Sequence, residues 1–262
     1  MTDEPCKRGD EVVPPVIFIR GIMPRSGTNF LADALDRHTT IVRSPGQFWE
    51  YVPFRFQSLL QHYVDQVASS KHAHQFAAQR FLPRVGEAWM RYLAGDLPGG
   101  KVALFKEPSV DGLESMFRMY DQSRSIIILR DGRDIVSSAL NSDFAFPPFR
   151  WTNPSHLRRL LPDEEFRILC RQFRNAAQLL LNFLGSDAGK EFAERFMIVK
   201  YEDLVENPVE HLTRIMQWAN LDPAGFDWES FDKMPIRGSS FLRNAEGQHD
   251  FGSGVERPAG GF

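Results

Sequence analysis

Cysteine is almost absent from this sequence. Among 262 residues only Cys6 and Cys170 occur, and they are far apart in the chain. A disulfide framework or a cysteine-based metal site needs several cysteines at suitable spacings, so neither is predicted. Such sparing use of cysteine fits a reducing compartment, and we therefore predict a cytoplasmic location.

Long apolar runs and an excess of positive charge are also missing. No apolar run approaches the roughly 18 residues expected of a membrane-spanning helix. The net charge is −3 at pH 7, so the chain has no overall positive field to attract a nucleic-acid backbone or an anionic membrane. We expect neither partner, and a polyanionic ligand would have to be bound by local basic residues.

Metal-ligand spacing is lacking as well. His72 and His74 are two residues apart, which places them on different faces of a helix, without an Asp or Cys at ligand spacing. No metal site is predicted from this pattern. His38 is expected at the end of the first helix, where its charge would meet the helix dipole.

The apolar residues fall into short runs, each followed by a turn and a helix-like stretch. Strands are predicted at 16–19, 102–105, 125–129 and 196–199, and helices at 28–36, after 108, at 133–140 and at 208–219. Further helical stretches at 57–94 and 163–184 are expected to cover the sheet or form a lid. This alternation predicts an α/β fold of three layers, with a central parallel β-sheet flanked by helices.

The predicted organisation is a single domain over residues 16–251. A polar, flexible tail is expected at 1–15. The Gly-rich stretch 252–262 is expected to be either a mobile tail or a chain that stops early.

The loop after the first predicted strand has the composition of an anion cradle. It reads Gly-Ile-Met-Pro-Arg-Ser-Gly-Thr-Asn over residues 21–29. Its small residues let backbone N–H groups approach an anion, Arg25 supplies a charged fork, and Ser26 and Thr28 add hydroxyl groups. It lacks the Gly-x-x-x-x-Gly-Lys-Ser/Thr spacing of a Walker A motif. A capped strand-to-helix turn without a ligand is the alternative interpretation.

A second pair of polar residues follows the strand at 125–129. Arg130 comes directly after this strand, and Ser138 lies eight residues on, about two helical turns into the next element. Both side chains are therefore candidates to bind one phosphate group. The alternative is a surface ion pair between Arg130 and Asp131, and Arg133 is expected to be solvated or paired.

Together with Lys106-Glu107-Pro108 at the end of the strand at 102–105, these segments resemble the sulfotransferase family that uses 3′-phosphoadenosine 5′-phosphosulfate (PAPS). The resemblance runs over about 16–241 and is closest to the tyrosylprotein-type and bacterial small-molecule branches. It implies a P-loop-like fold and places Arg130 and Ser138 at the 3′-phosphate of the donor. The residues that it places at the 5′-phosphosulfate are Arg25, Ser26, Gly27, Thr28 and Asn29.

The resemblance also suggests catalytic residues. Lys106 would lie beside the transferring group, where its ammonium stabilises negative charge on the sulfuryl and bridging oxygens. With Arg25 it is the strongest catalytic candidate. For the general base, a strict count from Arg25 arrives at Gly46, which cannot accept a proton. Glu50, the carboxylate within 44–51, is therefore the first candidate for the base and Glu107 the second.

Two later segments add weaker candidates. The stretch 199–208 is similar to a family segment whose Tyr lines the nucleotide pocket. This similarity makes Tyr201 a donor-binding candidate, with a packed side chain as the alternative. The loop 235–240 resembles one that closes over the 3′-phosphate region and proposes Arg237 and Ser239 as ligands.

The predicted function is transfer of the sulfuryl group from PAPS to a hydroxyl or amine acceptor, with adenosine 3′,5′-bisphosphate as the product. The resemblance implies direct in-line transfer without a metal, to a small molecule or a peptide. One alternative is a P-loop nucleotide kinase-like phosphotransferase, against which the absent Walker lysine argues. Another is a non-catalytic nucleotide-binding module of the same fold.

Overall fold

The computed structural model describes residues 14–43, 50, 57–71, 73–75, 78–94, 97–140, 162–234, 242–243 and 249–250. Residues 1–13 and 252–262 lie outside the described part, as do the predicted ligands Arg237 and Ser239. The predicted domain boundaries therefore stay predictions.

A parallel sheet of five strands forms the centre of the described part of the chain. Its strands are β1 (Val16–Gly21), β2 (Ile41–Arg43), β3 (Val102–Glu107), β4 (Ser123–Leu129) and β5 (Phe196–Lys200). Their order is β2-β3-β1-β4-β5, and all neighbours pair in parallel. The predicted parallel α/β sheet is confirmed. The sequence did not indicate β2, because a strand of three residues is too short to form a recognisable apolar run.

Helices connect the strands and cover the sheet. They are α1 (Thr28–Leu35), α2 (Gln57–Ala68), α3 (Ala78–Ala94), α4 (Leu113–Met119), α5 (Gly132–Leu140), α6 (Pro162–Gly185), α7 (Asp187–Glu191), α8 (Tyr201–Glu206), α9 (Pro208–Trp218) and α10 (Trp228–Asp232). The helices predicted at 28–36, 133–140 and 208–219 agree with α1, α5 and α9 to within one residue at each end. Over the described ranges, no helix is both long and apolar enough to cross a membrane. Two short strands, β6 (Leu242–Arg243) and β7 (His249–Asp250), form a separate antiparallel pair.

Both faces of the sheet are buried, which is why β1 is apolar almost throughout. Phe18 and Phe105 point to one face and pack with residues of α3 and α4. Ile19 and Leu104 point to the other face and pack with residues of α1 and α9. Each face therefore has its own apolar core.

This alternation separates two neighbouring charged residues at the end of β3. Lys106 is the register partner of Ile19, and Glu107 is the register partner of Arg20. Because successive residues of a strand point to opposite faces, Lys106 lies on the α1 face and Glu107 on the α3 and α4 face. Their two side chains approach the carboxyl edge of the sheet from different sides.

Arg20 is a wholly buried cation near the carboxyl end of β1. Its Nε donates to the carbonyl oxygen of Ser109 at 2.6 Å, and its Nη2 donates to the carbonyl oxygen of Asp111. Burial lowers the pKa of Arg20 to about 10, while the charges of Glu107 and Asp111 oppose this shift. Arg20 is therefore charged at neutral pH, and it ties β1 to the loop that follows β3.

Helices α3 and α4 make a close approach at Gly86, which yields a test of the packing. A Cβ atom at Gly86 would lie 2.0 Å from the carbonyl oxygen of Met119. Gly86→Ala should therefore lower the free energy of unfolding by roughly 1–3 kcal/mol, because backbone atoms must shift, even though Ala favours a helix over Gly by about 1 kcal/mol. Urea denaturation followed by circular dichroism measures this change.

Gly185→Ala is the matched control, because a Cβ atom at Gly185 would meet nothing within 4 Å. It should leave the free energy of unfolding within about 0.5 kcal/mol of wild type. Equal stabilities for the two variants would contradict the packing of α3 on α4.

Candidate functional site

The loop between β1 and α1 is closed by its own serine. The hydroxyl of Ser26 donates to the carbonyl oxygen of Met23 at 2.6 Å and accepts from the N–H of Met23 at 3.2 Å. Ser26 is wholly buried. Its side chain therefore stabilises the conformation of the loop through hydrogen bonds to the loop's own backbone.

The backbone of this loop is suited to an anion. Arg25 and Gly27 both have positive φ, at 79° and 96°, and residues in this conformation help to form the concave arrays of N–H groups that bind anions. Helix α1 follows immediately at Thr28 and carries no acidic residue in its first turn, which also contains Asn29. The first N–H groups of a helix lack intrahelical acceptors and carry a partial positive charge, so the start of α1 adds donors to the loop.

Arg25, Arg130 and Ser138 meet beyond the carboxyl ends of β1 and β4. The Nε of Arg25 donates to the hydroxyl of Ser138 at 2.9 Å, and Nη1 of Arg130 donates to the carbonyl oxygen of Arg25 at 3.1 Å. Burial lowers the pKa of Arg25, and the charge of Arg130 lowers it further. The Nε of Arg130 is buried and has no hydrogen-bond partner among the described residues. Two guanidinium groups this close favour an anion beside them.

The surface ion pair considered for Arg130 is not formed. Among the described residues, Asp131 pairs with Arg133, whose side chain and backbone N–H both donate to its carboxylate. The hydrogen bonds from the Arg133 side chain, followed by the one from its backbone N–H, lower the pKa of Asp131 to about 2. Arg133 is thus paired, as predicted, and Arg130 stays directed toward Arg25.

Tyr201, the first residue of α8, packs against both the loop and Arg130. The guanidinium carbon of Arg130 lies 4.7 Å from the centre of the Tyr201 ring. A Cβ atom at Gly27 would lie 2.3 Å from Cδ2 of the same ring. Only glycine fits at position 27, both for its positive φ and for this contact. Burial raises the pKa of Tyr201 against the opposing charge of Arg130, so the phenol is neutral at physiological pH.

Lys106 and Glu50 form a second part of the site, at the end of β3. The Nζ of Lys106 lies 3.3 Å from Oε1 of Glu50, and the two side chains are 2% and 13% exposed. Burial is the main cause that lowers the pKa of Lys106, while Glu50 opposes the shift. The structure thus brings Glu50, the first candidate base, to Lys106, although a strict residue count arrives at Gly46. The rest of the segment 44–56 lies outside the described residues.

Sequence reasoning missed an ion pair beside Lys106. Arg43, the last residue of β2, pairs with Asp33 of α1, and both side chains are nearly buried. The charge of Arg43 also lowers the pKa of Lys106. In the sequence, Asp33 is a carboxylate within the otherwise apolar helix stretch 30–35. Since a buried charge is nearly always paired, its position could have predicted an ion pair.

Glu107, the second candidate base, has a different environment. It is 1% exposed and its charge acts on Arg20. Because Glu107 lies on the opposite face from Lys106, this environment favours a role as counter-ion of Arg20. Over the part of the chain that the structure describes, no group of three or more His, Cys, Asp or Glu side chains is placed to hold a metal ion.

The chain is similar in sequence to known proteins. The chain matches the Sulfotransferase family over residues 15–225. Nodulation protein NoeE of Sinorhizobium fredii is 27% identical over 245 residues, which cover 87% of this chain and 56% of NoeE. The chain therefore spans little more than half the length of this curated relative.

Two solved structures also resemble the fold. The sulfotransferase domain of the Synechococcus PCC 7002 olefin synthase has a TM-score of 0.49 and 21% identity, covering 88% of this chain and 80% of that chain. A sulfotransferase from Alicyclobacillus acidocaldarius has a TM-score of 0.48 and 18% identity, covering 80% of this chain and 83% of that chain.

The family match includes the loop after β1, Lys106, Arg130, Ser138 and Tyr201. Since it extends over most of the chain, this protein belongs to the sulfotransferase family.

Proposed function

We propose that this sulfotransferase moves the sulfuryl group of PAPS to a hydroxyl or amine of a small-molecule or peptide acceptor by direct in-line transfer. The main support is the convergence of Arg25, Arg130 and Ser138 at one loop and helix start. Lys106 ends the neighbouring strand of the same sheet. Cations at the carboxyl ends of the three neighbouring strands β1, β3 and β4 suit a nucleotide that carries two anionic groups.

The donor carries two anionic groups, and the described residues fit both. The loop residues 25–29 and the first N–H groups of α1 would bind the 5′-phosphosulfate. Arg130, with its buried and unsatisfied Nε, would bind the 3′-phosphate together with Ser138, whose hydroxyl accepts from Arg25 and is able to donate to a phosphate oxygen. Tyr201 would line the nucleotide pocket, and Arg237 and Ser239 are proposed to complete the 3′-phosphate site.

When bound, the donor supplies a sulfuryl group on a good leaving group. Transfer breaks the bond between sulfur and the bridging oxygen and forms a bond from sulfur to the acceptor atom. Negative charge then grows on the bridging and sulfuryl oxygens, where Lys106 and Arg25 are proposed to donate hydrogen bonds. Because its pKa is lowered by burial, the Lys106 ammonium is a stronger hydrogen-bond donor than a solvated lysine.

Glu50 is proposed to accept the proton that the acceptor loses. Its contact with Lys106 would place the proton acceptor next to the cation that stabilises the leaving group. Glu107 is the second candidate for this general base.

The alternatives predict different behaviour. A nucleotide kinase would turn over ATP with Mg²⁺, and we expect no such turnover, because residues 21–29 contain no lysine. A non-catalytic module would bind the bisphosphate nucleotide without turning over PAPS.

A cytoplasmic site of action is also proposed, on the low cysteine content alone.

Donor binding supplies the first test of this proposal. Arg25→Ala and Arg130→Ala should each weaken binding of adenosine 3′,5′-bisphosphate by roughly 1.5–3 kcal/mol, because each loses a charged hydrogen bond. Adenosine 5′-monophosphate, which lacks the 3′-phosphate, should bind Arg130→Ala as it binds wild type. Calorimetry measures both affinities, with Arg133→Ala as the control, since Arg133 is 91% exposed and paired with Asp131. Equal losses for both nucleotides would refute the placement of Arg130.

Lys106 should act on the reaction more than on binding. Lys106→Ala should lower turnover by about 100-fold or more and change the affinity for the bisphosphate nucleotide by less than about threefold, because the charge that it meets grows in the transition state. Lys200→Ala is the matched control, since Lys200 ends β5 at the same edge of the sheet and is exposed. Unchanged turnover with weakened binding would make Lys106 a binding residue only.

The role of Glu50 is tested with phenolic acceptors of graded pKa. Glu50→Gln should keep nucleotide binding but lower turnover by roughly 100-fold for acceptors that are protonated at the assay pH. The loss should shrink for acceptors already ionised, because these need no base. Near-normal rates for Glu50→Gln beside a collapse for Glu107→Gln would transfer the role to Glu107.

A further inference from the structure

Arg20 joins the two chain segments that carry the proposed site. It directly precedes Gly21, the first residue of the loop 21–29 between β1 and α1, which we call the donor loop. Its guanidinium holds the carbonyl oxygens of Ser109 and Asp111, which follow Lys106 in the β3 to α4 loop. One side chain therefore connects the start of the donor loop to the segment after the catalytic lysine.

The loop that Arg20 holds is ordered by local contacts as well. The N–H of Ser109 donates to the carbonyl oxygen of Glu107 at 2.8 Å, and the N–H of Asp111 donates to the hydroxyl of Ser109 at 3.1 Å. Val110 between them is 3% exposed. The carbonyl groups of Ser109 and Asp111 accept hydrogen bonds from the planar guanidinium of Arg20. Because the N–H donors of a guanidinium have fixed directions, they orient both carbonyl groups, which a single ammonium would not do.

A buried cation in the central strand is costly for the fold. A buried ion pair that is replaced as a whole by apolar residues of similar volume often loses no stability, so stability alone is a weak reason for Arg20 and its counter-ion Glu107. Positions 16–19 of the same strand are all apolar. The exception is Arg20, whose side chain reaches the loop after Lys106.

We propose that Arg20 is a positioning residue for sulfuryl transfer. Its guanidinium fixes the spacing between the donor loop and the turn that follows Lys106. The Lys106 ammonium is thereby held in place against the transferring group. The inference rests on the proposed function.

Arg195 offers a matched control elsewhere in the fold. Its guanidinium also holds carbonyl oxygens, those of Phe117, Tyr120 and Ser123. These contacts lie at the amino end of β4, at the opposite edge of the sheet from the site. Arg195→Lys therefore removes the same chemistry near the amino end of β4, away from the carboxyl end of β3 that carries Lys106.

The test compares Arg20→Lys with Arg195→Lys in the full chain. With a phenolic acceptor present to receive the sulfuryl group, release of adenosine 3′,5′-bisphosphate from PAPS gives kcat. Calorimetry gives nucleotide affinity, and both are measured well below the unfolding temperature. Arg20→Lys should lower kcat about 10- to 100-fold with nucleotide affinity within about twofold, as expected for a misplaced catalytic group. Arg195→Lys should change both by less than about twofold.

A double-mutant cycle separates positioning from a general loss of structure. In a Lys106→Ala background, Arg20→Lys should cost less than about twofold in kcat, because the group that it positions is already gone. An undiminished loss in that background, or a kcat for Arg20→Lys equal to that of Arg195→Lys, would overturn the inference. If Arg20→Lys does not fold, Pro108→Gly, which loosens the same turn, takes its place. Its kcat should then be lower than that of Arg195→Lys, and its loss should fall below about twofold in the Lys106→Ala background. Absence of PAPS turnover in the wild type would instead overturn the proposed function.

Discussion

The parallel pairing of β1 with β3 on one side and β4 on the other decides where the site residues lie. Parallel strands end at the same edge of a sheet, so the segments that follow β1, β3 and β4 leave it side by side. Through this pairing the donor loop, Lys106 and Arg130 become neighbours, although long stretches of sequence separate them. The register also selects the face on which each charge lies, since Lys106 is aligned with Ile19 and Glu107 with Arg20.

Three cations near this edge have a pKa that burial lowers, namely Arg20, Arg25 and Lys106. The buried charges of these three residues are compensated in different ways. Arg20 is surrounded by backbone carbonyl oxygens and the charge of Glu107, and Lys106 meets Glu50. Arg25 instead lies beside a second guanidinium, that of Arg130. The charges of Arg20 and Lys106 are thus compensated within the protein, whereas the pair of guanidinium groups gains most from a bound anion.

Much of this arrangement could be predicted from the sequence. The apolar runs gave four of the five strands of the sheet, and the spacing of Arg130 and Ser138 gave two residues that the structure brings to Arg25. Glu50 could be proposed as a site residue only by resemblance, because a residue count depends on the course of an irregular segment. The pairing of Arg43 with Asp33, and the burial of Arg20, depend on contacts between distant elements. Local patterns do not encode such contacts, although a charge inside an apolar run marks where to look for them.

The contact between Gly27 and Tyr201 has a consequence for how the chain acquires its site. The donor loop is close to the amino end of the described chain, but the ring that packs against it begins the helix after β5, the last strand of the parallel sheet. During synthesis the loop therefore emerges long before its supporting ring. A nascent chain that ends before β5 lacks the ring that packs on this loop, so the proposed nucleotide pocket would be completed only when the sheet is complete. On the proposed function, donor binding would then be a property of the finished fold.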